Sequence, residues 1–292
     1  MKPAPFRYVA ARSLAEALRL KAEHGDEARF LAGGQSLVPT MNFRLTQPAL
    51  LIDINPLTDC AGLRRDGGQS VRIGALTRYR SLERDAATAR DLPLVHEALP
   101  HIAHPQIRNR GTIGGNLAHA DPASEMPAIV LALGGRLRAQ SVRGERWIAA
   151  ADFFVGALST TLAPDEMLTE IELPAAPPRS GACFMEIARR RGDFAIIGVA
   201  CTVELDESGS CRQARIALCN AGDGPVLAAR AGASLEGRRI AVAEIDAAAA
   251  LVQGEIDPGG NVHASKEYQR HLAGVLTARA LAAANERAQR GH

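Results

Sequence analysis

Gly111-Thr112-Ile113-Gly114-Gly115-Asn116 is the stretch whose reading decides the fold of this chain. A second stretch, Leu31-Ala32-Gly33-Gly34-Gln35-Ser36-Leu37, stands about eighty residues before it. Each sets a glycine doublet among polar residues and offers consecutive backbone N–H groups beside a hydroxyl, the parts that wrap a phosphate. Glycine permits positive φ and lets a ligand approach the backbone closely. Either loop alone also reads as a plain tight turn, because glycine punctuates many chains. As a pair they can close on one pyrophosphate from two sides, which points to a dinucleotide. The pattern G-x-G-x-x-G is absent, and no Lys-Ser or Lys-Thr follows either doublet, so Rossmann and Walker A sites are excluded.

The segments around these loops read as follows. Ser13 and Glu16 have capping-box spacing, the stripe Leu14, Ala17, Leu18 and Lys21-Ala22 predicts a helix, and Gly25 ends it. Residues 29–31 and 50–53 read as strands, the second closed by Asn55-Pro56. Residues 71–75 read as a strand, followed by helical stretches near 78–85 and 93–102. The polar run from His104 to Ala123 reads as one long loop, and loops of that length are often functional. Ser124 caps a helix over 125–133 that ends at Gly134-Gly135. Residues 136–149 form a hairpin through Gly144, and 167–173 form a strand.

Pro174-Ala175-Ala176-Pro177-Pro178 reads as a linker, since clustered prolines stop helices and central strands. Three extended runs follow, at about 181–190, 195–206 and 211–221, the last two joined by Glu207-Ser208-Gly209-Ser210. Helices are predicted near 225–235 and 242–253, and a closing helix over 265–290. Strands followed by helices indicate an α+β domain. The expected division is 1–176, with subdomains of about 1–56 and 57–176, and then 177–292.

Composition narrows the function classes. Of 292 residues, 47% are apolar and 23% charged, enough for a sizeable core in two domains or one large one. The 34 basic and 32 acidic residues leave a net charge of +2, which gives no reason to expect nucleic acid or an anionic membrane as partner. No apolar run approaches the ~20 residues of a membrane span. Met1-Lys2-Pro3-Ala4-Pro5-Phe6 lacks the apolar region of a signal peptide, so a cytoplasmic location is expected. Cys60, Cys183, Cys201, Cys211 and Cys219 form no C-x-x-C and read as buried free thiols in a reducing compartment. Their spacing argues against an iron–sulfur cluster on this chain. His101, His104 and His119 fit no standard metal cage and read as surface or core histidines, so no metal site is expected.

Four motifs in order then carry a resemblance. Ala32-Gly33-Gly34-Gln35-Ser36-Leu37-Val38-Pro39, and Pro105-Gln106-Ile107-Arg108 through Asn116, resemble the flavin subunit of the molybdenum hydroxylases, of the carbon monoxide dehydrogenase and xanthine dehydrogenase type. Arg190-Arg191-Gly192-Asp193-Phe194-Ala195 resembles the family's R-x-G-D-Y-A segment. His263-Ala264-Ser265-Lys266-Glu267-Tyr268 resembles the start of its C-terminal helix.

The resemblance implies an FAD site of the vanillyl-alcohol oxidase type, in a two-subdomain fold followed by a smaller α+β domain with a three-stranded antiparallel sheet. It implies that both loops hold the pyrophosphate, that Thr112 and Asn116 add hydrogen bonds, and that Ile113 lies close to the cofactor. Asp121 and Glu125 suit sugar or ribityl hydroxyls, or else cap the following helix. Ile102-Ala103 and Leu168 match positions that line the adenine or ring region. Phe194 matches an aromatic beside the isoalloxazine, where tyrosine is commoner. Glu186 stands where lysine is commoner. Arg189-Arg190-Arg191 reads as a solvated face or as recognition of an anionic acceptor.

The family pattern implies a small subunit with iron–sulfur clusters and a large subunit with the molybdenum cofactor, arranged as a dimer of heterotrimers. Electrons would pass from the clusters through FAD to NAD, a quinone or another acceptor. The cofactor would carry the chemistry, so no catalytic residue is assigned on this chain. A stand-alone flavin oxidase or dehydrogenase, and a nucleotide-binding assembly subunit, are the alternative readings.

Overall fold

In the N-terminal unit a buried lysine pins helix to strand. The computed structural model describes residues 2–291. Met1 and His292, the outermost residues of the two expected domains, lie outside them. Here β1 (Arg7–Ala10), α1 (Leu14–His24), β2 (Ala28–Leu31), α2 (Leu37–Asn42) and β3 (Leu50–Asp53) build a parallel sheet in the order β1-β3-β2. The Ser13 hydroxyl accepts from the Glu16 amide at 3.1 Å. The Glu16 carboxylate reaches back to the Arg12 amide at 2.7 Å, one residue beyond the expected box. Gly25 ends the helix at φ +49°. Lys21 is buried and donates to the carbonyls of Gly25 at 2.6 Å and Ala28 at 2.9 Å, which fixes where β2 begins. Ala17, Leu18, Ala28, Leu50 and Ile52 form the core of this unit.

The second unit holds β4 (Leu63–Asp66), β5 (Ser70–Gly74), α3 (Tyr79–Arg84), α4 (Thr88–Asp91), α5 (Pro93–Ala98), α6 (Pro105–Arg108), α7 (Ile113–His119) and α8 (Glu125–Leu133). It continues with β6 (Arg136–Ser141), β7 (Gly144–Ala149), α9 (Ala150–Phe153), β8 (Phe154–Gly156), β9 (Ser159–Thr160) and β10 (Met167–Pro174). Its main sheet is antiparallel, in the order β4-β5-β10-β6-β7. The run expected as one loop from His104 to Ala123 instead contains α6 and α7. Tertiary bonds explain the difference. The Ile113 amide donates to the Thr77 carbonyl and the Gly114 amide to the Ala75 carbonyl, so neighbouring chain fixes a turn that local propensity disfavours.

The C-terminal unit holds β11 (Ser180–Ala188), β12 (Ala195–Leu205), β13 (Cys211–Cys219) and β14 (Val226–Leu227), then α10 (Ala229–Ala233), α11 (Val242–Glu255) and α12 (Lys266–Arg290). The three expected antiparallel strands gain a fourth, two-residue strand, in the order β11-β12-β13-β14. That short strand occupies the start of the helix expected near 225–235. One face of the sheet, through Val199, Cys201, Ile216 and Leu218, packs in a core with Ala273, Ala280 and Leu281 of α12. The other face, through Phe184, Ala200 and Ala217, joins the core of the second unit.

Helix α8 lies in that shared core, with every residue from Glu125 to Ala132 buried. The Arg215 guanidinium, from β13, caps it by donating to the carbonyls of Ala132 at 2.8 Å and Leu131 at 2.9 Å. Arg287 of α12 pairs with Glu97 of α5 at 2.6 Å. All five cysteines are buried free thiols.

Candidate functional site

The first glycine loop joins β2 to α2. Its shape is held from within and from the segment after β3: Gln35 Nε2 donates to the Gly33 carbonyl at 2.9 Å, and Asn55 Nδ2 donates to the carbonyls of Ala32 at 2.8 Å and Leu31 at 3.2 Å. Among the described residues, the amides of Gly33, Gly34, Gln35 and Ser36 have no protein acceptor. Four successive uncommitted N–H groups are the donor type from which anion sites are built. The Ser36 hydroxyl makes no capping bond to α2.

The second loop lies directly against the first. A Cβ on Gly33 would stand 2.5 Å from the Arg110 carbonyl oxygen and 2.8 Å from the Gly111 Cα, so only glycine permits this approach. The Arg78 guanidinium fastens the two, donating to the Arg110 carbonyl and to Asn55 Oδ1. The Tyr79 amide donates to the Gly111 carbonyl at 3.1 Å. Gly114 has no room for a side chain because Ala75 fills the space beside it.

Here the structure corrects the donor inventory read from sequence. The Gly114 amide is spent on Ala75 O at 2.8 Å, and the Gly115 amide on Thr112 Oγ1 at 3.1 Å. The second doublet therefore supplies close approach, not free donors. Thr112 is buried and caps α7 by accepting, which leaves its hydroxyl proton to donate. Ile113 is fully buried beneath the loop.

Asn116 leads from this loop to the acidic residues. Its amide exchanges hydrogen bonds with the Ser124 hydroxyl at 2.7 and 3.0 Å, which diverts Ser124 from the capping bond expected of it. Asp121 accepts from the Ala123 amide at 2.9 Å through one oxygen. Glu125 follows, 4% exposed, and burial pushes its carboxyl up to about 7.

The remaining nominated residues divide. The Arg108 guanidinium donates to the carbonyls of Ile102 at 3.1 Å and Ala103 at 2.8 Å, tying this turn to α6. Ala103 is left-handed at φ +48°, and Ile102 is a core side chain. A Cβ on Gly192 would stand 2.7 Å from the His104 ring, so the loop carrying Phe194 rests on this turn. Phe194 itself is 67% exposed. Leu168 is a buried residue on β10 in the same core as Ile113, and the next residue, Thr169, accepts from the Ala75 amide at 2.9 Å. The loops at 32–37 and 110–116 are thus in contact, the 121–125 and 102–103 segments are tied to them, and Phe194 reaches them through Gly192.

Three tying residues escaped the sequence reading. Asn55 looked like a strand end, and Arg78 belongs to no motif. Asn220, left-handed at φ +56°, donates its amide to the Pro122 carbonyl at 2.6 Å and its side chain to the Ala195 carbonyl at 2.8 Å and the Ile196 carbonyl at 3.1 Å. His101 was read as incidental, yet its Nδ1 lies 3.1 Å from Glu186 Oε1, and that hydrogen bond raises its basicity.

Comparison with known proteins places the chain in a family. Residues 4–176 match the family model described as the FAD binding domain in molybdopterin dehydrogenase, and residues 182–284 match the CO dehydrogenase flavoprotein C-terminal domain. The chain is 45% identical over 290 residues to the 6-hydroxypseudooxynicotine dehydrogenase complex subunit alpha of Paenarthrobacter nicotinovorans, covering 99% of this chain and 97% of that one. It is 37% identical over 289 residues to the carbon monoxide dehydrogenase medium chain of Afipia carboxidovorans, covering 99% of this chain and 100% of that one. Its structure superposes on a chain of the reconstituted CO dehydrogenase from Oligotropha carboxidovorans with a TM-score of 0.95 and 36% identity, covering 98% of this chain and 100% of that one. The chain belongs to the family of FAD-binding medium subunits of molybdenum hydroxylase-type dehydrogenases, an oxidoreductase family.

Proposed function

We propose that this chain is the electron-transfer station of a heteromeric molybdenum-containing dehydrogenase and that it holds FAD across the two glycine loops. The residues present fit that group. Four amides from Gly33 to Ser36 are uncommitted next to the contact between the loops, and the Thr112 hydroxyl retains a proton to donate. The observation that carries the reading is this mutual docking of the loops, which sets the free amides of the first against the glycine backbone and the Thr112 hydroxyl of the second.

Ala32 to Leu37 would hold the pyrophosphate, helped by Thr112 and by the close backbone approach at Gly114 and Gly115. Asn116, Asp121 and Glu125 would meet the ribityl and sugar hydroxyls. Ile102, Ala103, Ile113 and Leu168 would line the apolar parts, and Phe194 would cover the ring. FAD supplies a centre that takes up electrons and hands them on singly or as hydride, while the protein supplies position and electrostatics.

The partners in this reading are a small iron–sulfur subunit and a large subunit with the molybdenum cofactor, assembled as a dimer of heterotrimers. The acceptor is NAD, a quinone or another carrier, and the exposed Arg189, Arg190 and Arg191 beside Phe194 suit an anionic one. The location is cytoplasmic. Among the described residues, no helix is long and apolar enough to cross a membrane. The working division is a cofactor domain over 1–176 and a second domain over 177–292.

Purification from the native host tests this reading. It requires stoichiometric FAD on this chain, together with co-purifying chains that contain iron, sulfide and molybdenum. Flavin reduction by substrate in the isolated chain would make it a stand-alone dehydrogenase, and a colourless chain inside the complex would make it an assembly subunit.

A further inference from the structure

Beside the loops lies a buried group of titratable side chains. Glu186, on β11, has a side chain only 4% exposed. Its Oε1 meets His101 Nδ1 at 3.1 Å, and its Oε2 is buried with no donor. A buried acceptor left unmade is costly, so an orphaned oxygen of this kind points to a donor supplied by something that binds.

The surroundings are acidic. Glu125 faces the pair from the start of α8, and Asp121 lies behind it in the turn between α7 and α8. Arg191, in the exposed β11–β12 loop, opposes the charge on His101. Cys219 of β13, near Glu186 and Glu125, and the buried Tyr79 of α3, near Glu125, also belong to this group. Opposite Glu186 in the sheet stands Gly198, whose missing side chain makes room for the Cys219 sulfur, 2.6 Å from where its Cβ would be. The group is bracketed by nominated site residues: His101 precedes Ile102 and Ala103, Glu125 follows Ser124 with its Asn116 bond, and the 189–194 loop continues from β11.

We propose that Glu186, braced by His101 and faced by Glu125, receives the redox-active ring of the bound cofactor and holds its reduced form neutral, so that two protons accompany each two-electron reduction. The inference rests on the FAD reading above. A carboxylate can only accept hydrogen bonds, so it selects the form of the ring that carries more N–H groups. The acidic surroundings disfavour a second negative charge, which acts in the same direction. The effect strengthens above neutrality, where Glu125, pushed up to about 7, adds its own charge as solution would strip the ring proton. The balance is complete with two electrons from the partner's iron–sulfur clusters and two protons from solvent.

A redox titration of the flavin absorbance in the FAD-loaded complex, from pH about 6 to about 9, counts protons per two electrons from the slope of potential against pH. The native complex is expected to take up two protons throughout. In Glu186→Gln the count should fall toward one above pH about 7, where the anionic reduced form is no longer opposed. Flavin content measured on the same samples separates the two ideas: a native complex whose chain carries no FAD refutes the FAD reading itself. An FAD-loaded native complex that takes up one proton above neutrality overturns the inference even if the variant does not fold. So does an equal count in native and E186Q.

Discussion

The Arg110 carbonyl oxygen lies where a side chain on Gly33 would have to go, 2.5 Å from the Cβ position. The contact is backbone on both sides, so it cannot be relieved by a rotamer change. Gly33→Ala is expected to part the two loops, at the ~1–3 kcal/mol typical of overpacking. If the loops grip the cofactor together, FAD affinity should fall by about tenfold or more, since ~1.4 kcal/mol is a factor of ten. Fluorescence titration of the apo chain with FAD reads the affinity, and unchanged binding would remove Gly33 from the site.

Arg78 makes the same point without steric strain. Its guanidinium bridges the Arg110 carbonyl and Asn55 Oδ1, one partner on each side of the loop pair. Arg78→Ala should weaken FAD binding while leaving the cores intact. Arg78→Lys should restore little, because a single ammonium cannot reproduce the planar fork. Equal FAD dissociation rates in native, R78A and R78K would show that the bridge is dispensable.

Much of this was legible in the sequence, where the cause is local. Ser13, Gly25, Gly134 and Ser265 mark helix ends because a cap needs only neighbouring residues. Helix α7 was hidden, since Ile113-Gly114-Gly115-Asn116 has loop propensity and its first turn is fixed by Thr77 and Ala75 across the fold. Strand β14, two residues long, has no period to detect. The ties made by Arg78, Asn55 and Asn220 join segments far apart in the chain, and no local pattern announces them. The pairing of the glycine loops was legible, but which of their amides stay uncommitted was not.

Glu125 gives stability a pH dependence of definite sign. Its carboxyl titrates near 4.5 when unfolded and near 7 when folded, so the folded chain binds the proton more tightly. Its contribution is fully present below pH about 4.5 and is lost as pH rises toward about 7, by roughly 3 kcal/mol across that window. Glu125→Gln removes the titration and should flatten this part of the profile, most visibly as added stability above neutrality. Urea midpoints taken at several pH values check it, and parallel profiles for native and variant would contradict the assignment.

Arg215 caps α8 from another sheet. Arg215→Ala leaves the Ala132 carbonyl without its donor, at about 1–3 kcal/mol for a buried group, while the Leu131 carbonyl keeps the Gly134 amide. FAD affinity should change little, because this end of α8 is remote from Glu125. A lowered melting temperature with native flavin content is the expected pair of readings, and loss of flavin in proportion to stability would tie the cap to the site.

Phe194 offers the reverse combination. At 67% exposure it contributes little to the core, so Phe194→Ala should leave the apo chain's melting temperature nearly unchanged. Visible circular dichroism of the bound flavin should nevertheless shift if this ring covers the isoalloxazine. An unaltered spectrum would place Phe194 elsewhere in the working complex.

The burial of α8 on two sides has a consequence for how such chains can be recombined. Removing everything after Pro174 would strip Arg215 and the face of β12 and β13 from the helix that carries Glu125. The remaining fragment would present apolar surface of α8, buried from Glu125 to Ala132 in the whole chain, to water and would aggregate or bind an apolar dye. Chimeras between relatives that cross at the proline-rich segment must therefore exchange α8 together with its roof, and the seam of this protein does not coincide with its linker.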